Sequence, residues 1–211
     1  IISLDHRIDK NTAYAYANKK QFLNFINLNI DYKIIDNSFF YNNQSKNNWD
    51  YYPTYNQYVN MMYAFADSFP QICKIHSLGT LSSGREILIV NISDNINQKE
   101  NEPSFLYTSS MHGDELTGYV LMLRFIDDIL NKYNVDSRIT NLVNEIDIWI
   151  NPLANPDGAY AGGNNNVWGA TRSNANFIDL NRNYPDPQDG QHPDGNPWQD
   201  ETLMFMGLAD T

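Results

Sequence analysis

Apolar residues return along this chain with two periods, and the switch between them marks out the elements. In the first stretch, residues 12–17 alternate small and aromatic side chains as a strand does. Phe22, Leu23, Phe25, Ile26 and Leu28 then recur at helical spacing behind Asn18, a fair N-cap, and residues 31–35 read as a second strand. Residues 1–38 thus predict a small strand-helix-strand unit, too short for a core of its own, and read as a decoration or the remnant of a prodomain. Residues 39–50 follow as a linker, because 42–48 are polar, aperiodic and offer nothing to bury.

From residue 51 onward the pattern is that of a mixed α/β domain. Thr54 caps a predicted helix over 55–68, with Tyr58, Met61, Met62 and Phe65 on one stripe and Pro70 as the stop. Residues 72–78 alternate, 81–85 form a turn, and 86–92 return as the second arm of a hairpin. Arg85 at that turn reads as a structural ion-pair or surface residue. Residues 105–109 open on the unbroken apolar run Phe105-Leu106-Tyr107, which predicts a central strand. Residues 116–132 form an amphipathic helix with Val120, Leu121, Leu123, Ile126, Ile129 and Leu130 inward. A shorter helix over 137–143 and a strand over 146–150 lead to Asn155-Pro156-Asp157-Gly158, an ordered turn. Two long loops, 159–173 and 185–198, precede a final helical pattern from residue 199; long loops in a compact domain usually carry function.

The candidate chemistry gathers where the apolar strand gives way to its helix. His112 and Glu115 stand three apart, so both side chains can reach one cation. Neutral imidazole and carboxylate are ordinary zinc ligands. A second cluster, Asp179-Leu180-Asn181-Arg182-Asn183-Tyr184-Pro185, lies far along the chain. Its arginine offers the planar fork that holds a carboxylate bidentately, which lysine cannot.

These three clusters in this order resemble the zinc carboxypeptidases, the funnel-shaped metallopeptidases, over roughly residues 52–211. The Asp-Leu-Asn-Arg-Asn run is most similar to the branch that includes the regulatory carboxypeptidases D, E and M and many bacterial relatives. The resemblance implies zinc as cofactor, held by His112 and Glu115, and Asp179 as the carboxylate that orients the ligating imidazole. It implies Asn181 and Arg182 as the grip on the C-terminal carboxylate of a peptide, and Arg172 as the charge that stabilises the developing oxyanion. The Asn155–Gly158 turn would shape the funnel wall. His192, in a Pro-rich turn, is not expected to be a ligand. The branch hints at basic C-terminal residues in the substrate.

The resemblance also shows what is missing. The family takes a third ligand from a histidine on a later strand and its general base from a glutamate further on. Histidine occurs here only at 6, 76, 112 and 192, and nothing after Arg182 matches either group. The expectation is therefore the N-terminal part of a catalytic domain, inactive by itself, with its sheet edge open to intermolecular contact. Two other classes fit less well: a zinc amidohydrolase on the same scaffold, such as a deacylase or cell-wall peptide amidase, and a carboxylate-binding module without catalysis.

Composition narrows the partners. A net charge of -11 argues against nucleic acid or an anionic membrane surface. No apolar run approaches a membrane span, and a single cysteine, Cys73, excludes an internal disulfide framework. By the family resemblance the protein is expected to be secreted or periplasmic.

Overall fold

A computed structural model describes residues 3–9, 12–16, 19–28, 30–33 and 49–209. The chain separates into two compact units, Ile1–Asn48 and Trp49–Thr211.

In the first unit, β1 (Ser3–Asp9) pairs antiparallel with β2 (Thr12–Tyr16), and α1 (Lys19–Ile26) follows. The order of elements differs from the expected strand-helix-strand. The hairpin comes first, and residues 31–33 lie outside any strand. β1 is Ser-Leu-Asp-His-Arg-Ile-Asp, with three charged residues in seven, so its apolar alternation was too thin to mark it. Phe22 and Phe25 of α1 pack edge-on against Tyr32. The expected cap Asn18, residues 34–35 of the second strand, and the linker up to residue 48 lie outside the described residues.

The second unit is built on a four-stranded mixed sheet in the order β3-β4-β6-β5. β3 (Cys73–Thr80) and β4 (Glu86–Ile92) form the hairpin, β6 (Asp147–Asn151) pairs antiparallel with β4, and β5 (Ser104–Thr108) runs parallel to β6. The helices are α2 (Tyr55–Ser68), α3 (Thr117–Lys132), α4 (Ser137–Glu145), the single turn α5 (Pro156–Ala159) and α6 (Asp200–Ala209). Thr54 and Gln57 form a reciprocal capping box that starts α2. Tyr58, Met62 and Phe65 of α2 and Tyr119, Leu123, Ile126 and Ile129 of α3 are buried in one core with Leu88, Val90, Ile92, Ile148 and Ile150 of the sheet. β4 lies inside the sheet and its side chains are buried on both faces.

Two expectations are corrected here. β5 is not central: it is the edge strand, and Phe105, Leu106 and Tyr107 are 51%, 43% and 39% exposed. An unbroken apolar run marks a strand suited to burial on both faces. Among the described residues no layer covers β5 on its outer side. On α3, Leu121 is exposed and Tyr119 is buried in its place. At 3.6 residues per turn, Leu121 lies about 200° from both Tyr119 and Leu123.

Candidate active site

Beyond Thr108 the backbone leaves β5 through Ser109 and Ser110. Ser110 is buried and sits at φ 55°, the left-handed region that a non-glycine residue seldom enters. Its Oγ donates to the Glu115 carbonyl at 2.8 Å, which folds residues 110–115 into a tight loop. His112 is thereby held in a buried position while the Glu115 side chain stays open to solvent. An open pocket of about 660 Å³ adjoins this loop, lined by Tyr52, Ser109, Met111, Asp114, Glu115 and Gly118.

His112 meets a carboxylate on each ring nitrogen. Nε2 lies 3.0 Å from Asp179 Oδ1, and Nδ1 lies 3.2 Å from Glu115 Oε1. Asp179 also accepts from Arg172 Nε on Oδ2 at 2.9 Å and from the Asn181 backbone amide on Oδ1 at 3.0 Å. Burial pushes the Asp179 carboxyl up, but the hydrogen bonds from Arg172, His112 and Asn181 outweigh it and hold it below the usual carboxylate range. The ionised carboxylate accepts from Nε2–H, which orients the ring with Nδ1 toward Glu115.

The Nδ1–Oε1 distance tests whether a metal fits. Two zinc ligands at about 2.0–2.2 Å in tetrahedral array stand ~3.3 Å apart. The observed 3.2 Å is compatible with that spacing, and is equally the length of a direct Nδ1–H···Oε1 hydrogen bond. The residues present fit zinc as two of its ligands.

Of the expected site residues, His112, Glu115, Arg172 and Asp179 form one contact network; Arg172 Nη1 lies 3.8 Å from Glu115 Oε1. Asn181 joins it through its backbone amide. Arg182 follows on the one-turn 3₁₀ helix Leu180–Arg182, with its Nη1 donating to the Asn181 carbonyl at 2.9 Å. Its backbone amide donates to the Asp179 carbonyl at 2.9 Å, while among the described residues no hydrogen bond or ion pair joins its guanidinium to the other four. His192 stacks on Trp198 at 5.0 Å between ring centroids. Arg85 forms a 2.6 Å ion pair with buried Asp157, and also donates to Asn164 and the Tyr160 carbonyl. A separate group, Asp94, Glu100 and Glu102, gathers carboxylates in the loop after β4.

The family model for zinc carboxypeptidases matches residues 58–202. The chain belongs to the zinc carboxypeptidase family. It is 38% identical to carboxypeptidase D of Rattus norvegicus over 146 residues, 67% of this chain and 10% of that protein. It is 34% identical to carboxypeptidase M of Mus musculus over 145 residues, 67% of this chain and 32% of that protein. The chain thus spans between a tenth and a third of the length of these relatives. In fold it resembles carboxypeptidase A of Helicoverpa armigera, with a TM-score of 0.68 at 21% identity over 93% of this chain and 51% of that one. Thrombin activatable fibrinolysis inhibitor gives 0.63 at 14% identity, over 77% and 44%. Both likenesses are to the mixed α/β fold. Among the described residues no helix is long and apolar enough to cross a membrane.

One residue of the site was missed in sequence. Asn155 looked like part of a structural turn, yet it is fully buried and its side-chain amide reaches the carbonyls of Met111 and Arg172. An Asn-Pro pair marks a turn and carries no sign of what the Asn side chain will meet.

Proposed function

We propose that this chain supplies part of the active site of a zinc metallocarboxypeptidase that hydrolyses the C-terminal peptide bond of peptides and proteins. The observation that carries this reading is the 3.2 Å approach of His112 Nδ1 to Glu115 Oε1, with Nε2 fixed by Asp179. His112 and Glu115 hold the metal. Zinc supplies Lewis acidity there, polarising a carbonyl and making water acidic near neutral pH. Asp179 orients the imidazole by accepting from Nε2–H and anchors Arg172. Arg172 is half-exposed beside both, and its charge serves the oxyanion that develops on the scissile carbonyl. Asn181 and Arg182, exposed on the same turn, take the terminal carboxylate of the substrate; Arg182 exchanges its local bond to the Asn181 carbonyl for a bidentate one. The protein acts outside the cytoplasm, secreted or periplasmic, which rests on the family resemblance.

Zinc centres take three or more protein ligands. Among the described residues two are present at this site, so we expect this 211-residue chain alone to hold zinc weakly and to turn over no peptide. The open edge of β5 also invites pairing with another chain. The test is a longer chain from the same protein, assayed on peptides and on acylated amino acids. Zinc-dependent release of C-terminal residues that is lost in His112→Ala supports the reading. Hydrolysis of acylated amino acids alone overturns it in favour of a deacylase.

A further inference from the structure

Three loops meet at the site: 110–113 with His112, 155–158, and 171–173 with Arg172. Their backbones touch. A Cβ on Gly113 would lie 2.3 Å from the Gly158 carbonyl carbon, and one on Gly158 would lie 2.6 Å from both Ser173 O and Asn155 Nδ2. Asn155 fills the junction. Its backbone N–H donates to Ser110 O at 3.1 Å. Its Oδ1 accepts from Gly158 N at 2.8 Å, and its Nδ2 donates to Met111 O at 3.2 Å and to Arg172 O at 3.4 Å. The amide orientation is forced, because an N–H can only donate and two carbonyls can only accept.

From this geometry we propose that Asn155 is a positioning residue that sets the separation of the His112 loop from Arg172, and so the pairing of Arg172 with Asp179. It touches the residue before His112 and Arg172 itself. Asp179 also bonds both segments, but through the His112 and Arg172 side chains; Asn155 bonds their backbones, beside the direct tie of Gly113 N to Arg172 O at 3.3 Å. A local role is also present, since Asn155 caps the short turn α5. The two roles separate chemically. Serine is as good an N-cap as asparagine but is too short to bridge the two carbonyls. Aspartate keeps the cap and turns both donors into acceptors facing carbonyl oxygens. The inference rests on the zinc-peptidase reading of His112 and Arg172, but its test does not require zinc or turnover.

The measurement is the NMR signal of the Arg172 Nε–H in this chain, assigned through its loss in Arg172→Lys. In the unsubstituted protein it is held by Asp179, with a distinct chemical shift and slowed exchange. In Asn155→Ser we expect the shift to move to that of a free guanidinium and exchange to quicken by about tenfold or more. Ile129→Val, a core variant chosen to lower Tm equally, should leave both unchanged. Asn155→Asp should give the same loss of pairing, and a folded fraction that retains it counts against the proposal. If Asn155→Ser matches the control, Asn155 is only a cap and the proposal is overturned. If the unsubstituted Arg172 signal is already that of a free guanidinium, the pairing and the proposal fail together. The zinc-peptidase reading fails separately, by absence of zinc-dependent hydrolysis in the longer chain.

Discussion

Asp179 holds His112 on one carboxylate oxygen and Arg172 on the other, at 3.0 and 2.9 Å. One acidic side chain thus orients the proposed metal ligand and aims the nearby positive charge. Partners that orient a ligating histidine are worth roughly 10–100-fold in metal affinity. In Asp179→Asn, zinc or cobalt binding to this chain should therefore weaken by about tenfold or more, read by calorimetry or by the cobalt absorption band. His112→Ala should abolish it. In the unsubstituted chain, submicromolar zinc affinity together with turnover would contradict the two-ligand site and reopen His192 as the candidate third ligand.

Arg85 was expected to be structural, and the structure gives it a buried partner. The Asp157 side chain is 3% exposed and accepts from both Arg85 and Ser83. Removing the arginine leaves that carboxylate buried with one neutral donor. Breaking a buried pair from one side costs about 3–5 kcal/mol. Because Arg85 is less deeply buried than Asp157, the lower end is expected for Arg85→Ala, measured by urea denaturation. A change under ~1 kcal/mol would show that water replaces the guanidinium.

What could be read in the sequence was what periodicity and local chemistry encode. The capped helix at Thr54, the hairpin around Arg85, and the strand that leads to the His112 loop were all visible, because each repeats a pattern over five or more residues. The contact between His112 and Asp179 was legible only through the family motif, since 67 positions separate them. The edge position of β5 was not legible, because an apolar run records what a strand is suited to bury and not what covers it. The role of Asn155 was hidden for a different reason: a single buried amide has no period. β1 escaped notice because its charged residues mask its alternation.

Stability should depend on pH through Glu201. It is buried beneath the 174–178 turn, accepting from Asn174 Nδ2 at 3.2 Å. Burial pushes its carboxyl up, helped by the charges of Asp157 and Asp200, against hydrogen bonds from its own backbone and Asn174. A carboxyl raised in the folded state binds more protons there than in the unfolded chain. Its contribution is present at low pH and is lost as pH rises from the ordinary value of 4.5 through the raised one. Glu201→Gln keeps an acceptor for Asn174 and removes the titration. Its Tm should exceed that of the unsubstituted protein at pH 8, and the gap should close toward pH 4. A gap independent of pH would rule out the buried charge as its cause.

Phe177 gives the last prediction. Its φ is 61° and its side chain is 88% exposed, so a bulky residue occupies the left-handed region with almost no packing in return. The turn imposes this conformation. Asn174 Oδ1 accepts from Asn176 N and Ile178 N, Asn174 N donates to Ile178 O, and Phe177 N donates to Asn174 O. Asn174 is pinned in turn from below by Gln199 and Glu201. The conformation therefore persists whatever side chain stands at 177. A non-glycine residue there costs about 1–2 kcal/mol in strain, part of which glycine returns through its greater freedom in the unfolded chain. Phe177→Gly should raise stability by about 1 kcal/mol, or roughly 2–4 °C in Tm for a unit of this size. Phe177→Asn should gain somewhat less, because asparagine tolerates the region without being free in it. A fall in Tm for both variants would mean that Phe177 is packed in solution and that the turn relaxes when it is removed.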